Sequence, residues 1–100
     1  LGIEVSVLDL RTIMPYDWAG IAEAVTQTNR VVVAHEDQLT CGFGAELVAR
    51  MADELFDSLD APIKRVAALD CPVGYNPVFE EVVLPQAADI VRAIQDVVNY

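Results

Sequence analysis

The sequence predicts a three-layer α/β/α fold built on a mostly parallel sheet. Three observations predict it. Runs of β-forming residues and amphipathic helical runs alternate as β-α-β-α-β-α along 100 residues, joined by short connections. The run Val31–Ala34 is continuously apolar, as in a strand covered on both faces. Apolar residues make up 54% of a chain whose formal net charge is -10, more than an average small domain carries. A doubly covered sheet, or surface buried against other subunits, accounts for the surplus.

Taken in order, "IEVSVLDL" (Ile3–Leu10) alternates and reads as the first strand. Met14-Pro15-Tyr16-Asp17 interrupts it, and Asp17 suits a helix N-cap. Trp18, Ile21, Ala22 and Val25 share one helical face, with Asn29 as the stop. Val31–Ala34 is the central strand, and His35-Glu36-Asp37 the polar turn after it. From Gly44 a longer helix aligns Leu47, Val48, Met51, Leu55, Phe56 and Leu59 in one stripe, until Ala61-Pro62 ends it. Ile63–Ala68 is the third strand. Leu69–Pro85, with Pro72, Pro77 and Pro85, has no period and reads as an excursion. The closing helix, "AADIVRAIQDVVNY", turns Ile90, Val91, Ile94, Val97 and Val98 inward. Three strands are few for such a sheet, and a further strand and helix upstream would complete it.

Composition narrows the functions. Sixteen acidic residues against six basic ones cannot neutralise phosphates, which excludes a nucleic-acid partner and favours a basic protein. Two cysteines, Cys41 and Cys71, make no disulfide framework and fit a reducing compartment. No apolar run approaches the ~18 residues needed to cross a bilayer, so no membrane partner is expected.

The stretch "VVVAHEDQLTCGFGAEL" holds the candidate chemistry. His35, Glu36 and Asp37 are adjacent on a strand end, so their side chains diverge and do not converge on one metal ion; there is no second histidine. "GFGAEL" lacks the third glycine of a dinucleotide fingerprint, and Glu46 in the first helical turn would repel a phosphate. Cys41 before a helix could favour a thiolate, but Glu36, Asp37 and Glu46 oppose it. The chemistry does not close within this chain. A structural turn, with Gly42 and Gly44 allowing a tight helix entry, accounts for these residues better.

Five motifs in order, "EVSVLDLRTIMPYD", "VVVAHED", "TCGFGAEL", "LDAPIKRVAALDCPVGYNP" and "LPQAADIV", give the chain a resemblance that covers nearly all of it. It resembles the C-terminal, transketolase-like domain of the beta subunit of thiamine-diphosphate-dependent 2-oxoacid dehydrogenases. The resemblance implies a longer beta subunit whose assembly with an alpha subunit and a second beta subunit decarboxylates a 2-oxo acid and passes the acyl group to a lipoyl arm. Thiamine diphosphate and magnesium would be held outside this domain. The domain itself, residues 1–100, would join subunits and dock the basic peripheral-subunit-binding domain of the lipoyl acyltransferase. His35 is then the catalytic candidate, and Phe43, Asp57, Asp60 and Tyr100 the partner-facing ones. "TIMPYD", "TCGFGAEL" and the terminal "NY" lean to the branched-chain subtype over the pyruvate one. The location implied is bacterial cytoplasm or mitochondrial matrix.

Two departures stand out. The strand and helix that precede "GIEV" in the family are not in this sequence, which would leave a sheet edge exposed. Cys41 also stands in the first glycine position of a Thr-Gly-Gly-Phe-Gly pattern and would be strained if that position needs positive φ. The rival reading is a free-standing flavodoxin-like module with a ligand at the strand C-termini, around His35 and Asp70. A third is a structural domain whose parent has lost activity.

Overall fold

The computed structural model describes residues 2–100. In chain order it contains α1 (Trp18–Thr28), β1 (Val32–Gln38), α2 (Phe43–Glu54), a single 3-10 turn (Phe56–Ser58), β2 (Lys64–Ala68), α3 (Pro77–Val83) and α4 (Ala87–Val98). β1 and β2 pair in parallel, with Val32 opposite Lys64, Val33 opposite Arg65 and Ala34 opposite Val66. The α/β alternation and the parallel pairing agree with the expected class.

The local signals act as their chemistry dictates. The Asp17 carboxylate accepts the Gly20 N–H at 3.0 Å and caps α1. Asn29, at φ 62°, ends α1 in the left-handed conformation that asparagine tolerates, and its N–H bonds to the Val25 carbonyl. Ile21 and Val25 of α1, Val33 of β1, and Leu47 and Met51 of α2 form the buried core on one sheet face. Leu10, Tyr16, Trp18 and Phe43 close it from the side. Val66 pairs with Ala34, one step out of phase with Val33, so it faces away from that cluster. α4 packs against the two strands and buries Ala93 and Val97. Helices therefore cover two faces of the sheet.

Four expectations are corrected. Ile3–Leu10 is not a strand: no ladder forms there among the described residues. A trough of about 500 Å³ lies between Ser6, Leu8 and Leu10 on one side and Val32, Ala34 and His35 on the other. A strand needs a neighbour about 4.8 Å away, and here the trough intervenes. The long second helix stops at Glu54, and the 3-10 turn that follows leaves Phe56 70% exposed, out of the predicted stripe. The excursion contains α3, which Asn76 caps by accepting the Val78 N–H, with Pro77 in the first helical turn. In α4 the inward face is Ile90, Ala93, Ile94 and Val97, while Val91 and Val98 are exposed.

Candidate functional site

A parallel α/β unit has two chemically different ends. Strand C-termini and helix N-termini share one end; strand N-termini and helix C-termini share the other. The candidate residues divide between them.

At the first end, β1 does not turn after Ala34, as the sequence suggested. It continues through His35, Glu36 and Asp37 to Gln38, which pairs with Ala68. Four steps along β1 are met by two along β2, so the His-Glu-Asp stretch is bulged out of register. The bulge aims His35 under the start of α2. Its Nε2 accepts the Gly44 N–H at 3.1 Å, which places the ring proton on Nδ1. Nδ1 is buried, with no hydrogen-bond partner among the described residues. The imidazole also lines the trough.

Gly42 and Gly44 make this contact feasible. A Cβ on Gly44 would lie 2.5 Å from His35 Nε2, and one on Gly42 would lie 2.7 Å from the same ring and collide with the Gln38 carbonyl oxygen. The glycine pair therefore answers to a histidine seat. The Gly44 N–H is committed to His35 and the Ala45 N–H to the Gly42 carbonyl, while Glu46 occupies the first turn. A diphosphate would find these donors spent and a carboxylate beside them, so the α2 entrance does not fit such a group.

The loop before α2 is held from β2. Asp70 accepts both the N–H and the hydroxyl of Thr40, at 2.9 and 2.5 Å. Arg65 donates to the Leu39 carbonyl at 2.7 Å. The Thr40 hydroxyl, then its N–H, and then Arg65 hold the Asp70 carboxyl below its ordinary value. Between these anchors Cys41 adopts φ 60°, so the strain anticipated at that position is present. Cys41 is exposed and unpaired. No group of three or more His, Cys, Asp or Glu side chains with metal-binding arrangement occurs among the described residues.

At the other end, α1, α2 and α4 all finish, and none has a basic residue in its last turn. The segments are tied together by polar bonds. Asn29 donates its side-chain N–H to the Ser58 carbonyl at 2.7 Å, the Asp60 N–H bonds to the Asn29 carbonyl, and Arg30 donates to the Val97 carbonyl at 2.9 Å. Arg30 also lies 3.7 Å from Asp60. Asp57, Asp60 and Asp96 are exposed on these terminal segments, as are Phe56 and Tyr100. Arg30 and Lys64 are the cations nearby.

The predicted residues thus separate. His35 is at the strand C-terminal end. Asp57, Asp60 and Tyr100 gather at the helix C-terminal end. Phe43 is half-buried, edge-on to Tyr16 at 5.5 Å, with Arg50 stacked 4.0 Å over Trp18 on the same side. Arg50 also donates to the Tyr16 hydroxyl at 3.0 Å, and this bond and Glu54 raise its pKa. Sequence reasoning missed the Thr40–Asp70 and Arg30–Val97 bonds, whose partners are 30 and 67 positions apart.

The profile of the family described as "Transketolase, C-terminal domain" matches residues 1–90. Among curated proteins, the chain is 39% identical over 98 residues to "Pyruvate dehydrogenase E1 component subunit beta" of Porphyra purpurea, covering 98% of this chain and 30% of that protein. It is 38% identical over 99 residues to "2-oxoisovalerate dehydrogenase subunit beta 2, mitochondrial" of Arabidopsis thaliana, covering 99% of this chain and 27% of that protein. It is 41% identical over 90 residues to "Acetoin:2,6-dichlorophenolindophenol oxidoreductase subunit beta" of Bacillus subtilis, covering 90% and 26%. The chain therefore spans less than a third of the length of these relatives. No helix among the described residues is long and apolar enough to cross a membrane.

Proposed function

Because this chain belongs to the transketolase C-terminal domain family, we propose that it is the assembly and docking domain of a longer beta subunit. That subunit would belong to the decarboxylating component of a 2-oxoacid dehydrogenase, in a bacterial cytoplasm or a mitochondrial matrix. Its partners would be an alpha subunit, a second beta subunit and the basic peripheral-subunit-binding domain of a lipoyl acyltransferase. Its substrate would be a 2-oxo acid of the pyruvate or branched-chain kind, the acyl group leaving on lipoyl. Thiamine diphosphate with magnesium supplies carbanion chemistry when bound. The spent donors at the α2 entrance favour a seat for it outside this domain. His35 would take part through Nδ1–H, its uncommitted donor, which is buried at the trough wall.

One observation carries the docking role. Three helix C-termini, each with the partial negative charge of its terminal carbonyls, finish at this end without basic residues in their last turns. Arg30 offsets part of that charge at the Val97 carbonyl and Asp60. Asp57, Asp60 and Asp96 lie in or just beyond the last turns and are exposed, as are Phe56 and Tyr100. An acidic end that also exposes two aromatic side chains suits a partner that offers Lys, Arg and apolar contact.

The test is stopped-flow association of the full alpha–beta assembly with the isolated basic docking domain. The rate should fall about tenfold or more between low and moderate salt, and Asp57→Asn with Asp60→Asn should slow it at low salt. Rates that stay flat across the salt range would overturn the docking role. For His35, turnover of the assembled His35→Ala enzyme decides: an unchanged rate leaves the side chain with packing alone.

A further inference from the structure

We infer that Arg30 is a positioning residue for the docking end. Through one guanidinium it fixes the last turn of α4 and the segment at Asp60 together, so that a basic partner meets an ordered surface. This rests on the docking role proposed above, and it gives a reason for a cation where cations are to be attracted.

Arg30 stands between the end of α1 and the start of β1, and its Nε donates to the Val97 carbonyl at 2.9 Å, across 67 positions. That carbonyl belongs to the last turn of α4, where no helical N–H remains to meet it. The turn has no basic residue of its own, so Arg30 supplies both the missing donor and the cation that a helix C-terminus favours. From the same planar group Nη1 lies 3.7 Å from the Asp60 carboxylate. The stretch before Asp60 is fastened to the same joint. Asn29 donates its side-chain N–H to the Ser58 carbonyl at 2.7 Å, and the Asp60 N–H donates to the Asn29 carbonyl at 2.8 Å. Two acidic segments far apart in sequence, 57–60 and 96–100, are thereby held to one residue pair, Asn29 and Arg30.

Charge and geometry make opposite demands at this position. A cation at an acidic end reduces the attraction for a basic partner, so Arg30 weakens steering, and its two-sided grip is the compensating effect. The Asp60 side chain stays 59% exposed beside it and so remains open to a partner. Helix ends that are not tied down fray, and a surface that must be ordered on contact binds more weakly. Lysine at this position would keep the charge but not the grip. Its single nitrogen on a flexible stem lacks the fixed fork that addresses two acceptors at once.

The experiment uses the full alpha–beta assembly and the isolated basic docking domain. Association and dissociation rates are measured by stopped flow for wild type, Arg30→Gln and Arg30→Lys, and amide exchange at Asn99 is followed in each assembly before docking. Both variants should dissociate at least about fivefold faster and exchange at Asn99 at least about tenfold faster, and lysine should rescue neither. Arg30→Gln should associate no more slowly than wild type at low salt, because the end is then more negative. If charge alone mattered, Arg30→Lys would behave as wild type and Arg30→Gln would bind more tightly, and that result would overturn the positioning role. Unchanged exchange, or faster exchange with unchanged dissociation, also overturns it: the first denies the tie, the second leaves it structural only. If the glutamine chain does not assemble, the lysine variant decides on the same two readouts. Wild type that does not bind the docking domain brings down the docking role itself, and this inference with it.

Discussion

Gly42 and Gly44 bracket Phe43 so that the His35 imidazole can rest against bare backbone. Gly44→Ala should therefore destabilise the fold by about 1–3 kcal/mol, since its Cβ would press on both His35 and Val33; chemical denaturation of the variant checks this. Asp70 gives a pH-dependent counterpart. Its carboxyl is held below the ordinary value by Thr40, so its stabilising contribution is present above the unfolded-state value and is lost as pH falls through the lower folded value. Asp70→Asn should accordingly be less stable than wild type at pH 7, and the gap should close on acidification below the usual carboxylate range. Denaturation curves at pH 7 and pH 3 measure it. Much at this scale is legible in sequence: the glycine pair, the helix stop at Asn29 and the misplaced side chain at Cys41 each declare a local backbone demand. The Thr40–Asp70 bonds do not, because nothing within a few positions of either residue reports a partner 30 residues away.

At the scale of elements, propensity and capping specify helices better than they specify strands. Asp17 both predicts and caps α1, and Asp17→Ala should cost about 1 kcal/mol, read as a lowered midpoint in urea. Ile3–Leu10 has the alternation of a strand, but alternation records two faces and says nothing of a neighbour at bonding distance. The α3 signal was lost for the reverse reason. Seven residues give under two turns of period, and Pro77 reads as a breaker when it is the first-turn residue of a helix. The bulge at His35–Asp37 likewise looks like a turn in sequence, since polar residues after an apolar run usually mark a strand end. Only the pairing of Gln38 with Ala68 shows that the strand resumes.

For the molecule as a whole, the net charge of -10 acts in two directions. Self-repulsion weakens the compact state, so moderate salt should raise the thermal midpoint by a few degrees, about 2–4 °C for roughly 0.5 kcal/mol. The same salt should slow docking of a basic partner. Opposite signs in calorimetry and in association kinetics would separate the internal electrostatic effect from the external one. The surplus of apolar residues that first suggested a buried sheet is divided in the structure among a modest core, the α3 face and the residues beside the trough.

The trough has a colloidal consequence. Along the flank of β1 that faces away from β2, no described strand satisfies the peptide groups, and β-rich Ile3–Leu10 lies across the gap. Two such templates in one small body invite any stray extended peptide to zip in, another molecule's loose segment included. Concentrated preparations with this flank bare should therefore gel or fibrillate unless something of the right backbone shape occupies it, with like charge between molecules as the brake.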